Sequence, residues 1–220
     1  MSVAENLTKL RKEIPAHVKL VAVTKTHPVE KILEAYNCGY KIYGENKVQE
    51  LTSKYEQLPK DIEWHLIGHL QTNKVKQIVD CVSLIHSVDS LKLLKEINKC
   101  AEKINKVVDC LLQIHIAQEE TKFGLSFEEA EEILKLKEFL EMKNIHVVGL
   151  MGMATLTEDD NQIRKEFKSL KMHYDSLCLL PTANCRLAVL SMGMSSDYKI
   201  AIEEGSNLIR VGSLIFGGRT

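Results

Sequence analysis

The stretch KLVAVTKTHPVEKILEAYNCGYKIYGEN, residues 19–46, decides the fold. Its two ends, KLVAVTK (19–25) and KIYGEN (41–46), are short apolar runs of strand type. Between them PVEKILEAYNCG has helical spacing, with Pro28 at its opening and Gly39 just past its close. Proline is pre-set for a first helical turn, and glycine for the left-handed residue that follows a last one. Working outward, the alternation continues to the end of the chain. Further strands are predicted at EWHLIG (63–68), SLIHSVD (83–89), DCLLQIHIA (109–117), HVVGLMGMAT (146–155), RLAVLSMGM (186–194) and NLIRVG (207–212). Helices are predicted after Ser126, over FEEAEEILKLKEFLEMKN, and after Asp159 and Asp160, over NQIRKEFKSLKMHY. Strands this apolar belong in a parallel sheet covered on both faces. Eight βα units of about 27 residues each describe a compact (β/α)8 TIM barrel. The expected organisation is one α/β domain over 1–220, with an amphipathic helix within residues 1–17 (Leu7, Leu10, Ile14) packed on the barrel. An open doubly wound sheet is the alternative.

Composition narrows the function. Of 220 residues, 45% are hydrophobic and 27% charged, as in an ordinary globular chain. Lys plus Arg at 29 against Asp plus Glu at 30 leaves a net charge of −1. No overall positive field exists to hold nucleic acid or an anionic membrane. The longest apolar runs, such as Leu187 to Met194, fall short of a bilayer span. The amino terminus lacks the apolar core of a secretory signal. Six scattered cysteines without a CxxC pair point to reduced thiols and a cytoplasmic location. Neither GxGxxG nor GxxxxGK[ST] occurs, so a dinucleotide fold and a P-loop are unsupported.

In a (β/α)8 barrel the active site lies at the carboxyl ends of the strands. Period-2 alternation puts Val21, Val23 and Lys25 on one face of strand one. If that face points inward, the Lys25 amine enters the barrel mouth, partly desolvated and able to condense with an aldehyde. A solvated lysine flanking a strand is the plainer alternative. Ile42, Gly44 and Asn46 share a face in the same way, so Asn46 is a candidate ligand or, equally, a turn or helix cap. Ser191, Gly193 and Ser195 follow strand seven, and Gly212 and Ser213 follow strand eight. These are the loops in which barrels present backbone N–H groups to a phosphate. Arg210 shares a face with Gly212 and needs a partner, either a ligand or an acid such as Glu45. His65 and His69 have the spacing of helical zinc ligands but no intervening Glu, and metal binding is not expected. His115 is expected to be hydrogen-bonded inside the barrel. The pairs Met151/Met153 and Met192/Met194 are expected to be packing residues.

An amine on strand one, a phosphate cradle after strands seven and eight and an arginine on strand eight suggest pyridoxal 5′-phosphate (PLP). The motifs VAVTKT, YGENKVQE, WHLIGHLQTNK, SMGMSSD and IRVGSLIFG also resemble, in order, those of the YggS/PROSC group of pyridoxal phosphate homeostasis proteins. The resemblance runs from near residue 21 to residue 217. It implies a monomeric fold-type III PLP barrel in which Lys25 holds PLP as a Schiff base and Arg210 faces the pyridine nitrogen. Gly212 and Ser213 would bind the phosphate, Ser191, Gly193 and Ser195 would supply the serine-rich loop, and Asn46 would lie beside the ring. Thr24 stands where serine is usual, and Tyr43 where phenylalanine often precedes GEN.

Arginine donates and stays protonated, so a ring nitrogen bonded to Arg210 must be a neutral acceptor, which weakens the ring as an electron sink. Related racemases add a second domain and a second base, neither of which is expected in a chain ending at Thr220. The expected function is to carry or buffer PLP in vitamin B6 homeostasis with little or no turnover, with PLP-requiring apo-enzymes as possible recipients. A PLP-dependent amino-acid racemase and a cofactor-free Schiff-base aldolase are the alternatives.

Overall fold

Along β1 (Lys19–Val23) the side chains of Leu20 and Ala22 pack outward into the main apolar layer, while Val21 joins Leu84, Leu111, Met151 and Leu208 in a separate inner cluster. These five residues come from five strands, so they fill the inside of a closed sheet. In the computed structural model, which describes residues 2–119, 123–179 and 184–218, eight parallel strands form that sheet in chain order. They are β1, β2 (Ile42–Glu45), β3 (Glu63–Leu66), β4 (Val82–Val88), β5 (Val108–Ile114), β6 (Ile145–Gly152), β7 (Cys185–Ser191) and β8 (Leu208–Val211). β1 pairs with β8 in the register Val21↔Arg210, which closes the barrel and rules out an open sheet. Gly44 makes room inside, since a Cβ there would lie 2.7 Å from a Val21 methyl.

The helices form the outer ring. They are α1 (Val3–Glu13), α2 (Val29–Asn37), α3 (Val48–Gln57), α4 (Leu91–Glu102), α5 (Phe127–Lys135), α6 (Lys137–Leu140), α7 (Asp160–Leu177), α8 (Tyr198–Glu203) and α9 (Ser213–Phe216), with a 3-10 turn at Thr72–Gln77 after β3. Ser2 and Glu5 form a capping box on α1, whose Leu7 and Leu10 are buried. The helix is tied to α9 by a bond from Asn6 Nδ2 to the Ile215 carbonyl (3.1 Å). Pro28 precedes α2 and Gly39 follows it at φ +80°, as the sequence predicts. Among the described residues no helix is long and apolar enough to cross a membrane.

The helix predicted over residues 127–144 is two helices, broken where Leu136 turns extended (φ −65°, ψ 134°). The cause is phase. With Ala130, Ile133 and Leu134 facing inward, an unbroken helix would bring Lys137 and Glu141 round to the core and swing Phe139 away. The break restores Phe139 and Met142 to the core, and Phe139 is fully buried. Phe139→Ala should therefore cost about 3–5 kcal/mol, and Leu136→Ala, at a position 40% exposed, no more than about 0.5 kcal/mol. Urea unfolding of the two variants checks the difference; equal costs would contradict it.

Candidate functional site

Lys25 lies two residues beyond the end of β1, and the backbone on both sides of it is clamped. On one side, the Thr24 N–H donates to the Gly44 carbonyl (3.0 Å) and its hydroxyl to Glu45 Oε1 (2.5 Å). Lys54 Nζ on α3 donates to the Thr24 carbonyl (2.8 Å) and to Glu45 Oε1 (2.6 Å). On the other side, the Thr26 N–H donates to Glu50 Oε2 (2.8 Å), which also receives Lys54 (3.3 Å). Thr26 sits at φ +66°, an uncommon conformation for a β-branched residue and one that the Glu50 bond holds in place. The Lys54–Glu45 pair is almost out of water, and Glu45 Oε2 has no hydrogen-bond partner. Burial pushes the Glu45 carboxyl up, and Lys54 opposes that shift.

Beyond this clamp a cavity of about 330 Å³ opens at the carboxyl ends of β1, β2, β7 and β8, within the size range of small-molecule sites. Of the candidates in the sequence it gathers Lys25, Asn46, Ser195, Arg210, Gly212 and Ser213. Period-2 alternation along three strands accounts for most of this. Val21, Val23 and Lys25, then Gly44 and Asn46, then Leu208, Arg210 and Gly212 point into the barrel or its mouth. The two loops are joined by a bond from the Gly212 N–H to Ser195 Oγ (3.3 Å). A Cβ on Gly212 would press within 3.0 Å of the Val23 carbonyl. Sequence reasoning missed His27, Ile67, Ser196 and Gly217 in the lining. It also took Met153 and Met194 for packing residues, whereas both face this cavity. Among the described residues no carboxylate lines it, while Lys25 and Arg210 do.

Two candidates fall outside the lining. Gly193, at φ +96°, forms the turn from β7 towards α8, where a Cβ would strike Ala201 at 2.6 Å. Its carbonyl accepts the Arg210 N–H (3.0 Å). Ser191 is fully buried one layer deeper in the barrel, where its Oγ accepts Arg210 Nη1 (2.6 Å) and lies 3.1 Å from His86 Nδ1. The depth along the barrel axis, which alternation does not encode, separates it from Ser195. His86 Nε2 in turn lies 3.0 Å from Nδ1 of His65. The partner of His65 is thus on the neighbouring strand. His69 instead pairs with Asp89 (3.2 Å) and stacks on Phe123. His115 is half-buried past the end of β5, with Nε2 at 3.0 Å from the Glu119 carbonyl, and so is not inside the barrel as expected.

Arg210 is 4% exposed, and its guanidinium also donates through Nη2 to the Gly152 carbonyl (3.1 Å). Among the described residues it forms no salt bridge; Glu45 lies on the helix side of β2, where it pairs with Lys54. Asp197, whose field reaches Arg210, accepts the Met194 N–H instead. Burial pulls the guanidinium down to about 10, with Asp197 opposing, so it remains a cation at neutral pH. Burial likewise lowers His65 to about 3 and holds His86 well below its ordinary value.

These features yield two expectations. Lys54→Met strands the Glu45 charge and should destabilise the fold by about 3–5 kcal/mol, against at most about 0.5 kcal/mol for Lys135→Met in an exposed helix pair; equal unfolding midpoints in urea would contradict the clamp. For His65 the folded value lies below the unfolded one, so the unfolded chain takes up the proton first as pH falls. Its stabilisation is complete above pH 6.5 and is lost below it, by roughly 2 kcal/mol on reaching pH 5. Urea midpoints at pH 7 and pH 5 should show that loss, and His65→Gln should shrink it.

Comparison with known proteins places this geometry in context. The whole chain, residues 1–220, matches the family model described as alanine racemase, N-terminal domain. The pyridoxal phosphate homeostasis protein of Aquifex aeolicus is 46% identical over 202 residues, covering 91% of this chain and 87% of that protein. The protein of the same name from Helicobacter pylori is 40% identical, with 96% and 94% covered. PipY of Synechococcus elongatus, solved without PLP, superposes with a TM-score of 0.92 at 34% identity, covering 98% of this chain and all of PipY; the form with PLP bound gives 0.89. Alanine racemase from Clostridium difficile gives 0.79 at 13% identity over 99% of this chain and 57% of that one, a likeness of fold alone. The chain belongs to the family of pyridoxal phosphate homeostasis proteins, built on the barrel of the alanine racemase N-terminal domain.

Proposed function

We propose that this chain binds pyridoxal 5′-phosphate at Lys25 and carries or buffers it in vitamin B6 homeostasis, without turning over a substrate. The observation that carries the reading is the composition of the cavity wall: Lys25 and Arg210 line it and, among the described residues, no carboxylate does. Such a wall suits a small anion. The donor set fits the cofactor's three ends. Lys25 offers an amine to the aldehyde. Ser195, Ser196, Gly212 and Ser213 offer hydroxyl and backbone donors to the phosphate, with Gly212 allowing close approach of the main chain. Arg210 offers N–H donors to the ring nitrogen, which then has to accept. A relative sharing the fold at 34% identity, PipY, is known with PLP bound.

The bound cofactor supplies an aldehyde that joins an amine reversibly with loss of water, and a ring that can draw electrons from a bound amino acid. The residues around it limit the second capacity. A carboxylate is needed to keep a ring nitrogen protonated, and none lines the cavity. Racemisation also needs a second proton-transfer group facing the first. Among the described residues no tyrosine, cysteine or carboxylate lines the cavity. His27 follows Lys25 by two residues and packs against Phe216, its basicity lowered by burial and then by Lys31 and Lys54. Among the described residues Cys38, Cys81, Cys100, Cys110 and Cys178 form no disulfide, which supports a reducing, cytoplasmic setting.

Borohydride reduction of the protein mixed with PLP, followed by peptide mass mapping, should place pyridoxyl phosphate on Lys25 and on no residue of the Lys25→Ala variant. Arg210→Gln should weaken PLP binding at least tenfold, about 1.4 kcal/mol. A panel of L-amino acids should give no Lys25-dependent racemase or decarboxylase turnover. Robust turnover would overturn the carrier reading, and labelling elsewhere would overturn the site.

A further inference from the structure

We propose that His86 and His65 are positioning residues for Arg210: with Ser191 they form a one-way chain of hydrogen bonds through the barrel, each turning an acceptor towards the guanidinium and a donor away from it. The proposal deepens the PLP reading, on which only its consequence at the mouth rests; the direction of the chain does not depend on it.

The direction follows from counting donors. Arginine only donates, so Ser191 Oγ must accept the 2.6 Å bond from Arg210 Nη1. Ser191 then has one proton to place. It is fully buried, and among the described residues its other hydrogen-bond neighbour is His86 Nδ1 at 3.1 Å. A proton on that nitrogen would leave the hydroxyl hydrogen without an acceptor inside the barrel, which is costly. His86 Nδ1 therefore accepts. A neutral ring with its acceptor at Nδ1 carries its proton at Nε2, and that edge lies 3.0 Å from His65 Nδ1. His65 accepts in turn and carries its own proton on Nε2.

His65 also lines a second cavity of about 480 Å³, with Lys19, Glu63, Asp109 and Asn207 around it. Lys19 and Glu63 open their strands, so this cavity lies at the amino end of the barrel, opposite Lys25. The chain thus spans the barrel from mouth to base, crossing β8, β7, β4 and β3. Burial keeps both rings uncharged, consistent with two imidazoles that each use one nitrogen as acceptor and one as donor.

This arrangement does what a carboxylate could not. An acid beside Arg210 would fix the guanidinium but cancel its charge. Neutral acceptors fix its plane through Ser191 Oγ and the Gly152 carbonyl and leave the charge, with the remaining N–H donors, to the mouth. A group at the base of the barrel thereby helps to orient a group at its mouth.

Long-range proton–nitrogen NMR of the unloaded protein reads the tautomers directly. At neutral pH both His65 and His86 should be neutral with the proton on Nε2. A proton on His86 Nδ1, or a charged ring at either site, would overturn the chain. The consequence at the mouth is read with nitrogen-labelled PLP bound to the full chain. Ser191→Ala and His86→Leu should shift the ring-nitrogen resonance and speed PLP release at least fivefold. His86→Asn keeps an acceptor towards Ser191 and should stay within twofold of the parent. Ser191→Ala removes only a hydroxyl, so it reports even if His86→Leu fails to fold. An unchanged resonance and release rate in Ser191→Ala would overturn the positioning role. The expected tautomers in a protein that binds no PLP would support the chain and overturn the cofactor reading.

Discussion

A guanidinium held out of water with no carboxylate against it is the constraint on which the site depends. Charges of this kind are expensive to bury, by several kcal/mol even after relaxation. Among the described residues the direct partners of the Arg210 guanidinium are dipoles, the Ser191 hydroxyl and the Gly152 carbonyl, with the field of Asp197 acting at longer range. Its position follows from the closure of the barrel. β8 runs beside β1 with Arg210 level with Val21, so the side chain enters the barrel above the inner apolar cluster and cannot turn out to solvent. A cation so placed favours whatever acceptor or anion can reach it, and among the described residues no carboxylate lines the cavity.

The treatment of charge on β1 and β2 is the opposite. There the buried cation, Lys54, is paired with Glu45 and anchored on the Thr24 carbonyl, while Glu50 receives the Thr26 amide. This network lies behind the strand, on the helix side, where Lys54 is shared between two carboxylates. Lys25 is thus set on a fixed backbone. The molecule separates an ionic cluster that fixes geometry, Lys54 with Glu45 and Glu50, from the two basic side chains that line the cavity, Lys25 and Arg210.

Much of this was legible before any coordinates. Near-continuous apolar strands alternating with capped helices define the barrel. Alternation along Val21–Val23–Lys25, Gly44–Asn46 and Arg210–Gly212 brings four candidate residues to one cavity, and the loops after β7 and β8 add Ser195 and Ser213. What was not legible needed a third dimension. Ser191 and Ser195 are alike in a serine-rich loop and differ by depth in the barrel. His65 and His86 are 21 residues apart and meet only through the pairing of β3 with β4. Lys54, in VQELTSKYEQ, reads as a solvated helix lysine and is nearly buried because its amine reaches back to β1 and β2. The break at Leu136 carries no proline or glycine, and its cause lies in the phase demanded by Phe139.

Likeness to PipY at a TM-score of 0.92 and the full-length match to the alanine racemase N-terminal domain agree with a barrel that grips a cofactor. On such a barrel the proton-transfer groups around the cavity set what chemistry can follow binding, and among the described residues that line it they are few. The most direct measurement is a crystal structure of this chain grown with PLP. The account predicts the cofactor bonded to Lys25 Nζ, its ring nitrogen against Arg210 and its phosphate against Ser195, Gly212 and Ser213. Cofactor bound outside this cavity, or within it but apart from Arg210 with the guanidinium turned to a carboxylate, would contradict it.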